Sequence, residues 1–260
     1  MFTLDAENVA WEDAGGFGIS QKILKQDPDT GARTLLLRSP PRPGAAMGDR
    51  RPQHHPVDEE FLCLSGRFTL EGTDWLTPMM YVYYPAGLVH GFGVDVPDGY
   101  EVYLRNSGPL ATERVDAPTM DRPYFLDSQY GGEVIVSDPS RLIRDGLESA
   151  QVSIITLRTD ELAGEGALIL CLPAGRHVDF RLTGSGAAAE IFVLTGVLRL
   201  GERQRLGQYG YAALDGPADL RVHGIEPTVM LLNHRDGELA SELGRQAASS
   251  SHAVNRYLQA

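Results

Sequence analysis

Three histidines and two glutamates stand in a pattern suited to binding a divalent metal ion. His54-His55-Pro56-Val57-Asp58-Glu59-Glu60 leads straight into the apolar run Phe61–Leu64, and His90 closes the segment Tyr84-Pro85-Ala86-Gly87-Leu88-Val89-His90. Imidazole nitrogen combined with carboxylate oxygen suits Fe, Mn, Zn, Ni or Co, and a site with few protein ligands leaves coordination positions for substrate, water or oxygen. Strand alternation puts Gln53 and His55 on one side and His54 on the other, unless a bulge shifts the register. It likewise turns Glu60 away from the side of Glu59. The other four histidines, His177, His223, His234 and His252, are isolated and read as surface or hydrogen-bonded structural residues.

The elements that must position these groups are short strands. Arg33–Arg38, Glu60–Leu64, Met80–Tyr84, Tyr100–Leu104, Gly132–Val136, Val152–Leu157, Ala167–Leu172, Glu190–Leu194 and Thr228–Leu232 are apolar runs rich in β-branched and aromatic residues. They are separated by turn-forming residues drawn from 29 glycines and 16 prolines, a spacing that predicts an all-β sandwich or barrel. A weak internal repeat adds to this: Ala32–Pro40 echoes Ala167–Pro173, and the segment from Glu60 through Gly66 echoes that from Glu190 through Gly196. Two segments matched in the same order predict two copies of one domain, residues 1–125 and 126–260, divided in the turn-rich stretch Ala117–Tyr130. Asp236–Gln259, rich in Ala, Glu and Leu, reads as a C-terminal helix with Asp236 as its N-cap. The two cysteines, Cys63 and Cys171, lie in apolar runs and read as buried free thiols.

Composition narrows the function classes. A net charge of −12 repels phosphate backbones, so no nucleic-acid partner is expected. No apolar run approaches the roughly 20 residues needed to span a bilayer, and Met1–Trp11 lacks a signal-peptide pattern. A cytoplasmic protein with a small-molecule partner and no membrane association is the expectation.

The two histidine-bearing segments resemble the paired motifs of the cupin superfamily: a first motif with His-x-His, Glu and, six residues later, Gly, and a second of the form Pro-x-Gly-x-x-His. Here Glu59 is followed by six residues and Gly66, and Pro85, Gly87 and His90 complete the second motif. The His-Pro-x-x-Glu-Glu form is close to ChrR-type cupins, a group that includes sensor domains and resembles diketone-cleaving dioxygenases. The resemblance implies two tandem double-stranded β-helix (jelly-roll) domains, with metal held by His55, Glu59 and His90. Gln53 stands where the family has its first histidine, which leaves three readings: Gln53 ligates through its amide oxygen, His54 swings inward on a shifted register, or the site keeps three protein ligands. Met79 replaces the glycine that opens the second motif, and Val94 its usual Asn.

In the second half Gly184, Ser185, Ala189 and Leu220 occupy the ligand positions, implying a domain without metal. By analogy the first domain is expected to be a non-haem Fe(II) dioxygenase acting on a small oxygenated molecule. A redox-neutral Zn or Mn isomerase, hydrolase or lyase and a non-catalytic ChrR-like sensor or small-ligand binding module are the alternatives, and nickel is a further possible metal. Glu60, Tyr84 and Tyr103 are candidates for moving a proton, and Arg38 and Arg105 for holding a carboxylate or enolate. A homodimer is the expected assembly.

Overall fold

A computed structural model describes residues 1–15, 18–42, 53–69, 75–90, 96–114, 135–160 and 163–239. They form two compact units, one within Ala10–Asp138 and the other joining Met1–Val9 to the described residues of 139–239. The expected division near residue 125 lies outside the described residues. The first nine residues, expected in the N-terminal domain, belong instead to the second unit, because Phe2–Asp5 pairs antiparallel with Gly210–Asp215. No described helix is long and apolar enough to cross a membrane.

The central sheet of the first unit has seven strands, ordered Ile135–Ser137, Tyr81–Tyr84, Glu59–Gly66, Tyr100–Asn106, Arg33–Ser39, Ser20–Gln26 and Glu12–Asp13. Its inner face carries Leu35, Phe61, Cys63, Val82, Val102 and Leu104, which pack with Phe68, Leu76, Leu88 and Val96. The opposite face is buried too, at Leu36, Leu62, Tyr81 and Tyr103. Burial on both faces explains why these strands read as continuous apolar runs without alternation.

The second unit repeats this order. Ala188–Thr195 lies between Gly210–Asp215 and Thr228–Arg235, just as Glu59–Gly66 lies between Tyr81–Tyr84 and Tyr100–Asn106. A second sheet of five strands closes its core, where Leu168, Leu170, Ile191, Val193 and Met230 meet Val178, Phe180, Leu198 and Val222.

The repeat extends to backbone detail. Gly66 and Gly196 have φ of 70° and 81°, and a Cβ on either would lie 2.1 or 2.2 Å from a carbonyl oxygen, of Gly99 or Pro227. Only glycine fits either place. Met79 and Tyr209 are likewise equivalent, at φ 72° and 60°, with their N–H groups donating to Cys63 O and Val193 O at 2.8 Å.

Two differences from the sequence reading concern helices. The described α-helix, Ser140–Glu148, was not anticipated, because it is short and carries Gly146 in its interior. Packing favours that glycine, since a Cβ there would sit 3.0 Å from Cys171 Sγ and the neighbouring side chain would have to give. Asp236, expected to start the C-terminal helix, is a turn residue at φ 52°, and Gly237–Leu239 pairs with His177–Leu182 as a strand. Residues 240–260 lie outside the described residues. Cys63 and Cys171 are free and buried, and burial raises their thiols to about 12 and about 11.

Met79 provides a test of the turn. A non-glycine residue in the left-handed region costs about 1–2 kcal/mol, so Met79→Gly is expected to stabilise the first unit by about 1 kcal/mol in urea unfolding.

Candidate metal centre

His55, Glu59 and His90 converge on the inner face of the first unit, all three 3–4% exposed. Their ligating atoms lie within 4.8 Å of one another. Glu59 Oε2 is 3.4 Å from His90 Nε2 and 3.7 Å from His55 Nε2, and the two imidazoles stand 5.1 Å apart, tilted by 52°.

The chain brings them together through backbone contacts between the two motif segments. Gln53 and His90 form a reciprocal bridge, with N–H to O distances of 2.9 and 2.8 Å. Gly87, at φ 79°, donates its N–H to His55 O at 2.7 Å, and Ala86 N–H donates to Asp58 Oδ1 at 2.8 Å. Glycine suits position 87 because the turn enters the left-handed region there, which costs a side-chain-bearing residue about 1–2 kcal/mol. Glu59 opens its strand opposite Tyr84 on one neighbour and Asn106 on the other.

Hydrogen bonding fixes which ring nitrogen faces the centre. His55 Nδ1 lies 3.0 Å from Ala111 O, and His90 Nδ1 lies 3.1 Å from Leu88 O. A carbonyl oxygen only accepts, so each Nδ1 carries a proton, and in the neutral form each Nε2 turns its lone pair toward Glu59. Burial holds the His55 imidazole below its ordinary value of 6.5, against the opposing pull of Glu59, which favours the neutral ligand form. Glu59 Oε2 is buried without a hydrogen-bond partner. A carboxylate oxygen so placed between two imidazole lone pairs fits a divalent cation.

Tyr84 stacks on His90, with centroids 4.9 Å apart and planes 3° from parallel, and so braces that ring. Gln53 Nε2 lies 3.4 Å from His55 Nε2, while its Oε1 accepts from Arg114. His54 faces the other way and lies 3.4 Å from Glu113 Oε2, as alternation requires. The register separates the remaining candidates from the centre. Glu60, Tyr103 and Arg105 occupy the opposite face of the sheet, where Arg105 NH1 donates to Glu60 Oε1 at 3.3 Å. Arg38 shares that phase and stacks over Trp11 at 4.1 Å.

The sequence reading missed two polar residues on the inner face. Arg33 pairs with Asn106, and Asn106 pairs with Glu59, so Arg33, Asn106, Glu59 and Tyr84 form one row across four strands. Their phase is fixed by Leu35 and Leu104, two residues along each strand and both in the core. Within the run of Leu35, Leu36 and Leu37 nothing in the sequence marks which leucines point inward.

In the second unit, Ala189 and Leu214 occupy the places of Glu59 and Tyr84. Among the described residues the only grouping of three or more metal-ligating side chains is His55, Glu59 and His90.

Residues 1–111 match the ChrR Cupin-like domain family. No curated protein matches the chain. Among solved structures, a candidate dioxygenase from Nostoc punctiforme superposes with a TM-score of 0.66 at 20% identity, covering 90% of this chain and 82% of its own. A variant salicylate 1,2-dioxygenase from Pseudoaminobacter salicylatoxidans, in complex with gentisate, gives 0.61 at 11% identity, with 91% and 82% covered. The Escherichia coli pirin YhhW, in complex with nickel(II), gives 0.58 at 8% identity, covering 90% and 98%.

His90→Ala is expected to lower affinity for added divalent metal by at least about 100-fold while the circular dichroism spectrum stays all-β. Protonation competes with metal for imidazole, and His55 resists it. Wild-type protein is therefore expected to keep its metal below pH 6.5, the ordinary histidine midpoint, and to release it on further acidification, as read by titration at fixed metal concentration.

The sheet order, its repetition and these superpositions show a fold of two tandem β-sandwich domains of the cupin type, and residues 1–111 match the ChrR Cupin-like domain model.

Proposed function

We propose that the first domain is a mononuclear metal-dependent enzyme, a non-haem Fe(II) dioxygenase acting on a small oxygenated organic molecule. The observation that carries this reading is the buried, unpartnered Glu59 oxygen between two imidazoles whose Nε2 atoms face it. A divalent ion held by two histidines and one carboxylate keeps open positions for a chelating substrate and O₂, and polarises the substrate's oxygen atoms.

The protein's own groups then have separate tasks. Ala111 O and Leu88 O orient the two imidazoles, and Tyr84 keeps the His90 ring in plane. Gln53, at the position of the family's first histidine, turns its amide nitrogen toward His55 and is placed to donate to an oxygen of a bound molecule. Tyr84, on the inner face and paired with Glu59, takes the proton-handling role over Tyr103 and Glu60. Apolar neighbours such as Phe61 and Leu88 limit water around the centre.

The family match over residues 1–111 favours a second reading, a ChrR-like module that binds a small ligand without turning it over. Zinc or manganese in the same three ligands would support redox-neutral chemistry instead. The readings separate on oxygen consumption. Iron-loaded protein supplied with 1,3-diketones, salicylate or gentisate is expected to consume O₂ in proportion to substrate, and Glu59→Ala to consume none. Binding of one of these compounds, recovered unchanged with no O₂ uptake, would favour the binding module.

A further inference from the structure

Asn106 is a buried amide with nothing to bind. It is 1% exposed, and neither its Oδ1 nor its Nδ2 has a hydrogen-bond partner. Such a residue lowers the stability of the free protein, because both polar atoms are desolvated without compensation. Its cross-strand neighbour is Glu59, and directly opposite neighbours on one sheet face have Cβ atoms about 4.5–5.5 Å apart.

On its other side is Arg33, half-buried, whose Nε is also buried without a hydrogen-bond partner. Arg33 lies two strand spacings, roughly 10 Å, from Glu59. The row therefore offers, in order, a fixed positive charge, an amide donor and acceptor, and a metal-binding carboxylate.

We propose that Arg33 and Asn106 are the substrate-selecting residues of this site and that its ligand is an organic acid. The acid places oxygen donors on the metal, a hydroxyl or carbonyl against Asn106, and a further carboxylate on Arg33. This rests on the metal centre proposed above and specifies the class of molecule it takes. Guanidinium and carboxylate match as paired donors and acceptors, and the pairing is strong where water is excluded. A protein of net charge −12 repels anions at its surface, so a guanidinium on the inner face selects by position and not by general attraction.

The test compares two probes of equal chain length, 2-oxoglutarate and 2-oxopentanoate, which differ only in a terminal carboxylate. Calorimetric titration of metal-loaded protein is expected to show 2-oxoglutarate binding at least about tenfold tighter, as one charge-assisted hydrogen-bonded pair requires. Arg33→Met should abolish that preference and leave metal content unchanged. Asn106→Leu should weaken both probes yet raise the melting temperature, since it removes an unsatisfied buried amide; a merely structural asparagine would lower it.

Equal affinity for the two probes in wild-type protein, or a preference that survives Arg33→Met, overturns the proposal. Metal content is measured on the same samples, and the carboxylate preference is read in parallel on metal-free protein. An empty centre in wild-type protein contradicts the metal reading alone, whereas a full centre without carboxylate preference contradicts this one alone.

Discussion

The first domain is organised around one buried carboxylate. Glu59 sits in the core of the first unit with one oxygen lacking a hydrogen-bond partner, 3.7 and 3.4 Å from the Nε2 atoms of His55 and His90. An ionised carboxylate in such a place is costly unless a cation neutralises it. The surrounding features each serve to hold that arrangement. The Gln53–His90 bridge and the Gly87 turn bring the second motif onto the first, and two carbonyl oxygens fix the imidazole tautomers. A metal ion there would tie the two motif segments together, so binding and local folding are expected to be coupled.

The second domain shows what the scaffold looks like when that constraint is gone. It keeps the strand order, the obligatory glycine at 196 and the left-handed residue at 209. At the places of Glu59 and Tyr84 it has Ala189 and Leu214, both in the core. The shared backbone features therefore belong to the fold, and the polar row from Arg33 to Tyr84 belongs to the site. His234, at the position of Asn106, is half-buried opposite Ala189, and desolvation, followed by the nearby Arg158, lowers its pKa.

Much of this was legible in the sequence because it depends on local pattern. Short strands and two copies follow from residue types and spacing, the His55, Glu59 and His90 set follows from the resemblance to the cupin motifs, and the alternation turns His54 and Glu60 away in the structure as well. What was hidden depends on pairing between distant strands. Arg38 and Arg105 end apolar runs, yet both lie on the outer face, while Arg33, at the other end of the strand from Arg38, and Asn106, next to Arg105, lie on the inner one. With both faces buried, the sequence carries no alternation from which to read that phase. Tyr84 and Tyr103 were undecided for the same reason, and the pairing of Tyr84 with Glu59 separates them. The Ser140–Glu148 helix escaped because its interior glycine answers to Cys171, a contact distant in sequence.

The most direct measurement is elemental analysis of the full chain purified without chelators or added metal, beside Glu59→Ala prepared identically. The account predicts close to one divalent ion per wild-type chain and a large loss from the variant, with both proteins folded. Metal absent from wild type, or present equally in both, would contradict it.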